Sequence, residues 1–414
     1  MGSPPPREHT GADREAVAGV PVDRRLVSGA ARLPRVAIVA AAWSPGEEER
    51  QAAVRALAGA LALSAEVVVV SLDDRSGPSA PASRRTDGIF TVHSVAATPG
   101  RAELARRIGE ALSAGGPGRP LPGLAAERLL GIEGRAAPGA VAMLDALEPH
   151  AVLLAGVETL WLASALSGAR RRSRLAVMPL LGADPRLAAG ALGRLLGAAD
   201  VVLALSRTEA SLLQAGGGAA AVRRLALPVA INEEAAATPL DGMSSFGPYL
   251  LVLSGWPDDG AAGGAGPPHD YVRAVLGDVA VAEVRRGGWF VSDGRHRFEF
   301  PFEGTRVNLW RLMAGAIAML DVRPIGPVGR EVVESLGFGT PVVVPAGTVA
   351  AEHAEASGGG LWYEGPGEML EAARYFIERP SERERFSRAG RRWAAGEHAT
   401  RGGFAAEVAA LLLG

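Results

Sequence analysis

Short apolar runs alternate with helical stretches along most of the chain. RVAIVAA at Arg35–Ala41 and EVVVVSL at Glu66–Leu72 are apolar on both faces, and between them EEERQAAVRALAGALAL, from Glu47, has helical periodicity. Strands apolar on both faces, separated by helices, predict a parallel sheet covered on both sides. The alternation continues. GIFTVHSV at Gly88–Val95 is a strand, and RAELARRIGEAL from Arg101 is a helix. Further strands are predicted at Ala151–Ala155, Leu175–Leu180 and Val201–Leu205, with a helix from Arg186, and LALPVAI closes this half at Ile231.

A polar, turn-rich segment, NEEAAATPLDGMSSFGP at Asn232–Pro248, marks a domain boundary. YLLVLSG opens a second alternating half at Tyr249. Its later strands lie near Val279, Trp289, Arg297, Ala318, Pro341 and Gly360. The expected architecture is α/β, with two tandem doubly wound Rossmann-like domains facing a cleft. Residues 1–32, rich in Pro, Gly and charge, form a disordered tail. The first domain spans 33–231, the linker 232–248 and the second domain 249–414. Ligands of such sheets bind at the carboxyl ends of their strands.

Composition narrows the chemistry. The chain has 414 residues, no Cys and no Lys, so all 43 basic residues are Arg. Thiolate metal sites, cysteine nucleophiles, Schiff-base lysines, Walker-type loops and protein kinases are excluded together. Any anion site must use Arg, backbone amides or helix N-termini. The seven His, at 9, 93, 150, 269, 296, 353 and 398, share no metal-ligand spacing. No metal and no cofactor are expected. A formal charge of −2 gives no field for nucleic acid. No apolar run reaches the roughly 18 residues of a membrane span, and the first residues lack the apolar core of a signal peptide. A soluble cytoplasmic protein is expected. The run Arg170–Arg172 with Arg174 reads as a solvated loop and leaves membrane-surface contact open.

The most informative stretch is AMLDVRPIGPVGREVVESLGFGTPVVVPAG, Ala318–Gly347. It reads as strand, Gly-containing loop, helix, tight turn and strand. Gly326 and Gly329 bracket the loop at the helix entrance. First-turn amides have no intrahelical partner and carry the positive end of the dipole, which makes an anion site. Arg330, in that first turn, opposes the dipole unless an anion sits there. Arg323, just past a strand end, is a similar candidate. Glu334 lies one turn further on, and Gly337 and Gly339 stop the helix. Glu331 and Glu334 lie three apart on one face, and solvation or pairing with Arg330 would account for them equally. His353, a lone histidine on a helix, reads as structural.

GREVVESLGFGTPVVVPAG resembles the second domain of retaining glycosyltransferases with two Rossmann-like domains, the GT-B family-four group and its relatives. The likeness covers the layout of 33–414 and is specific over about 318–380. It puts Glu334 on the acid that binds the nucleotide ribose and Gly329 on the glycine whose amide meets the diphosphate. Glu352 and Gly360 match the Glu and Gly of a second Gly-rich loop. DVVLALSRTEASLL at Asp200–Leu213 resembles the last strand and helix of the first domain. There are departures. Gly326 stands where the family has the acid that contacts the donor sugar. Gly255 matches the start of the diphosphate-gripping pair, but Trp256 replaces its Arg and there is no Lys. The first-domain acceptor loop, AAAWSPGEEER, keeps only Gly46.

The resemblance implies sugar transfer, with retention, from a UDP-, GDP- or ADP-linked donor to an unknown hydroxyl acceptor. It implies donor binding by Gly255, Arg323, Gly326, Gly329, Arg330 and Glu334, and it names no catalytic residue. Two rivals remain: an inactive relative acting as a binding subunit, favoured by the departures, and a nucleotide-sugar epimerase of the same fold.

Overall fold

A computed structural model describes residues 33–40, 43, 49–73, 83–96, 138–156, 159–160, 162–166, 172–180, 196–215, 221–229, 231–240, 243, 247–253, 272, 276, 279–285, 288–292, 297–301, 306–322, 328–397 and 401–414. Within Pro34–Gly414 they form two sheets. The first holds β1 (Arg35–Ala40), β2 (Glu66–Asp73), β3 (Ser83–Asp87), β4 (Phe90–Ala96), β5 (Ala151–Ala155), β6 (Arg174–Met178), β7 (Val201–Ala204) and β8 (Ala221–Arg224). Their order is β3-β4-β2-β1-β5-β6-β7-β8. All the pairings are parallel except β3 with β4. Its helices are α1 (Glu49–Leu61), α2 (Pro138–Leu147), α3 (Leu162–Leu166) and α4 (Arg207–Ala215).

After α5 (Glu233–Ala236) comes the second sheet: β9 (Tyr249–Leu253), β10 (Ala280–Arg285), β11 (Gly288–Ser292), β12 (Arg297–Pro301), β13 (Ala316–Asp321), β14 (Val342–Pro345) and β15 (Gly360–Tyr363). The order is β12-β11-β10-β9-β13-β14-β15, with β10, β11 and β12 joined antiparallel at one edge. The helices here are α6 (Arg306–Gly315), α7 (Arg330–Phe338), α8 (Val349–Ser357), α9 (Pro366–Glu378), α10 (Pro380–Glu397) and α11 (Arg401–Leu413).

Both central strands are buried on both faces, which explains their unbroken apolar runs. Val36 and Ile38 join the core on one side of the first sheet, Ala37 and Val39 the core on the other. In the second sheet Leu251 faces one core, while Leu250 and Val252 face the other. The last helix does not stay with the second sheet. Phe404, Ala405, Val408 and Leu412 of α11 pack into the core of the first, which also holds Leu57 and Leu61 of α1.

Two edge strands depart from the sequence reading. SRRTD forms β3 and AVRR forms β8, and both are largely exposed. An edge strand faces solvent along one side and is protected from further pairing by charge, so it needs no apolar run. LALPVAI is not a strand. Its Leu225, Leu227 and Val229 still fill the core from an irregular segment. Gly337 does not stop α7. It lies inside the helix, where an added Cβ would meet Ile231, and Gly339 alone ends the helix, at φ 79°. The predicted helices from Arg101 and Arg186 lie outside the described residues.

Candidate functional site

In each sheet the strand order reverses direction at one place, between β1 and β5 and between β9 and β13. A crevice opens there at the carboxyl ends of the strands. In the second sheet Leu253 and Asp321 are paired neighbours at those ends. Asp321 is buried, and its carbonyl accepts from the Tyr363 hydroxyl at 3.0 Å. Burial, with the charge of Asp321 beside it, holds the Tyr363 hydroxyl above its ordinary pKa.

The segment after β13 enters α7 at Gly329, whose φ of 67° and ψ of 32° are left-handed. Side chains rarely adopt that conformation. Space is also short, because a Cβ on Gly329 would lie 2.8 Å from His353 Cδ2. His353 is buried. Its Nε2 lies 3.0 Å from the Val328 carbonyl, which can only accept, so this nitrogen carries the proton. The ring packs on Trp393 with centroids 5.4 Å apart. His353 therefore buttresses the loop, as its solitary position on a helix suggested. No side chain caps this helix entrance.

Arg330 and Glu334 follow on α7. Arg330 Nε donates to Glu334 Oε1 at 3.0 Å across one turn. From α6, Arg306 Nε donates to the same oxygen at 3.1 Å, and Arg306 Nη2 lies 2.5 Å from Glu334 Oε2. Arg306 Nη1 donates to Glu331 at 2.8 Å. The Glu334 side chain is fully buried, Arg306 is 15% exposed and Arg330 is 29% exposed. Two guanidiniums and two carboxylates thus compensate one another, and Arg330 is the member nearest solvent. Burial holds the Glu334 carboxyl above its ordinary value, opposed by Arg306 and Arg330. Burial pulls on Arg306 in the other direction, but Glu331 and Glu334 more than offset it and hold the guanidinium more firmly protonated.

Of the six candidates, Gly329, Arg330 and Glu334 come together at the start of one helix. Gly255, Arg323 and Gly326 lie outside the described residues, as does Trp256. Glu331 and Glu334 are not solvated acids. The pairing of Arg330 with Glu334 is present, but buried. Arg306 gave no signal in the sequence, since it lies 28 positions before Glu334 in no motif.

The first half starts its own helix, α4, at the carboxyl end of β7. Ser206 Oγ accepts from the Glu209 amide at 2.9 Å, and the Glu209 carboxylate accepts from the Leu205 amide at 2.8 Å. Ser206 and Glu209 have the Ser-x-x-Glu spacing of a capping box, but the carboxylate takes the Leu205 amide rather than that of Ser206. The other half of the molecule supplies the group on the amides of Arg207 and Thr208. Glu352, from α8 of the second half, accepts from Arg207 N at 2.6 Å and Thr208 N at 2.9 Å.

No protein-family model and no curated protein matches the chain. Solved structures do. The α,α-trehalose-phosphate synthase (UDP-forming) of Burkholderia vietnamiensis superposes with a TM-score of 0.65 at 14% identity, covering 92% of this chain and 99% of that one. The sucrose-phosphate synthase of Thermosynechococcus elongatus gives 0.59 at 14%, covering 91% and 98%. The Anabaena protein HepE, in complex with UDP and glucose, gives 0.58 at 16%, covering 92% and 99%. The fold is GT-B. The expected architecture of two Rossmann-like halves is correct. Within the GT-B frame, α4 follows β7 of the first half and α7 follows β13 of the second. Among the described residues no three His, Asp or Glu side chains gather as metal ligands. No described helix is long and apolar enough to cross a membrane.

Proposed function

We propose that this chain is a retaining glycosyltransferase. The second half holds the nucleotide of a UDP-, GDP- or ADP-linked sugar, and the first half holds a hydroxyl acceptor. The observation that carries the reading is the uncapped, left-handed entrance at Gly329, with Arg330 and Glu334 behind it. Amides at a helix N-terminus meet a diphosphate without a side chain in the way. With no Lys in the chain, the cation must be Arg. Arg330 is the least buried member of the charge cluster, so it turns from Glu334 to the diphosphate. That movement uncovers the Glu334 carboxylate for two ribose hydroxyls, while Arg306 keeps it compensated. Gly255, Arg323 and Gly326 complete the donor side. Catalysis comes from holding donor and acceptor together and from stabilising the leaving diphosphate as charge develops on it. The bond from the anomeric carbon to the diphosphate breaks, the acceptor oxygen bonds to that carbon on the face the diphosphate left, and the acceptor's hydroxyl proton passes to the leaving diphosphate oxygen.

Calorimetry with UDP, GDP and ADP tests the site, followed by release of the preferred diphosphate from its sugar nucleotides. No binding of any of the three at millimolar concentration would sink the reading. A second reading, a catalytically silent binding subunit, is favoured by two observations: Gly326 in place of an acid, and a Glu334 sealed by two guanidiniums. It expects equal affinity for the diphosphate and all its sugar nucleotides, and no release with any acceptor.

A further inference from the structure

Glu352 joins the two halves by direct hydrogen bonds. Its helix, α8, follows β14, so its first turn lies at the carboxyl end of the second sheet. Helix α4 follows β7, so its first turn lies at the carboxyl end of the first. The Glu352 carboxylate spans the two, one oxygen to each amide, at 2.6 and 2.9 Å. The bond is charge-assisted and sits at the positive end of a helix dipole, where a carboxylate is stabilised. Ser206 and Glu209 satisfy neighbouring amides, so the first turn of α4 is rigid and ready to receive it. Thr348 caps α8 at its own start, its hydroxyl accepting from Ala351 N at 3.1 Å, and so fixes the direction in which Glu352 points.

The next residue gives this joint a second connection. His353 faces the other way and buttresses Val328 and Gly329 at the entrance of α7. Consecutive residues of one helix therefore touch the first half and the loop at the proposed donor site. A shift of α8 that releases α4 must also move the support under Gly329.

We propose that Glu352 is a positioning residue that latches the first half onto the second, and that His353 couples this latch to occupancy of the Gly329 loop. The donor part of this inference rests on the reading given under Proposed function. The latch itself does not. Coupling between two sites is reciprocal: whatever closes the latch tightens the loop, and whatever fills the loop favours the closed latch.

The test uses the full chain. Because it has no Cys, two can be introduced at exposed positions without background labelling, Ile89→Cys in the first half and Glu371→Cys in the second. Spin labels at the pair report the distance between the halves. In the parent a single narrow distribution is expected. With Glu352→Ala a longer population should appear, and Glu352→Gln, which keeps one acceptor but no charge, should lie between. A residue that merely stabilised α4 would lower the melting temperature and leave the distance unchanged. An unchanged distribution in folded Glu352→Ala overturns the latch.

The second arm adds UDP, GDP or ADP, whichever the parent binds. Glu352→Ala should bind it about tenfold more weakly, and the ligand should pull the long population back toward the short distance. The double variant Glu352→Ala/His353→Ala should show the long population but lose this response. If ligand pulls the double variant back as it does Glu352→Ala, the coupling is wrong. If the parent binds none of the three, the functional reading fails, and the distances without ligand still decide the latch.

Discussion

Two helices start at the carboxyl ends of strands in opposite halves, and they begin in opposite ways. Helix α4 starts on Ser206, and the protein occupies its first turn with Ser206 Oγ and the Glu352 carboxylate. Helix α7 starts on a left-handed Gly329 with no side-chain cap, and its nearby charges are paired behind the entrance. The same backbone chemistry is present at both ends, since every helix presents amides at its start. What differs is who supplies the anion. Where the chain supplies its own carboxylate, the helix end is a joint. Where a glycine stands instead of a cap, with an Arg in the first turn, the end is suited to an anion from outside. Position at the carboxyl end of a strand is therefore not enough to name a ligand site.

The comparison breaks most visibly at Glu334. Removing one member of a buried ion cluster leaves its partner uncompensated, at about 3–5 kcal/mol. Glu331 remains beside Arg306, so Glu334→Ala should lose about 3 kcal/mol, measured by urea unfolding. A loss below about 1 kcal/mol would mean that the cluster is a solvated one. The sign of the pH dependence is a second check. Burial holds the Glu334 carboxyl above its ordinary 4.5. Its contribution is therefore complete below that value and is lost as pH rises through the raised folded one. Glu334→Gln should flatten the stability profile on the alkaline side of 4.5. An acid whose folded pKa was lowered would give the reverse slope.

Gly329→Ala comes next. A side chain in the left-handed region costs about 1–2 kcal/mol, and the new Cβ must displace His353. The expected loss is roughly 2–3 kcal/mol, together with loss of nucleoside diphosphate binding in calorimetry. Adding His353→Ala should relieve the steric part and leave the backbone part, so the double variant should lose less than the sum of the singles. Strict additivity would show that His353 does not buttress the loop.

These residues also show what the sequence could reveal. β1, β2, β5 and β9 announce themselves because a strand buried on both faces must be apolar throughout. β3 and β8 do not, because their edges are held away from other chains by Arg and exposed polar groups. Gly329, Arg330 and Glu334 were legible because the candidate site is local, with all three within one and a half turns. Arg306 and the contact that Glu352 makes were not, because the partners are 28 and 145 positions away and only the folded chain brings them near. The last helix is apolar enough to pack anywhere. Its sequence carries no signal that it would cover the first sheet rather than the second.

The smallest expected effect is at Ser206, and it sharpens the comparison from the other side. Ser206 Oγ satisfies one amide of α4, from Glu209. Replacing such a cap by Ala costs about 1 kcal/mol. The Glu209 carboxylate still holds the Leu205 amide and Glu352 still holds those of Arg207 and Thr208, so the helix should remain docked. Ser206→Ala should therefore lower stability by about 1 kcal/mol while leaving the distance between the halves and the affinity for nucleoside diphosphate unchanged. If α4 were itself an anion site for substrate, removing its cap would change ligand affinity as well. Thermal unfolding and calorimetry on the same preparation separate the two: a stability loss alone keeps α4 as a joint, and a shift in diphosphate affinity makes it part of the ligand site.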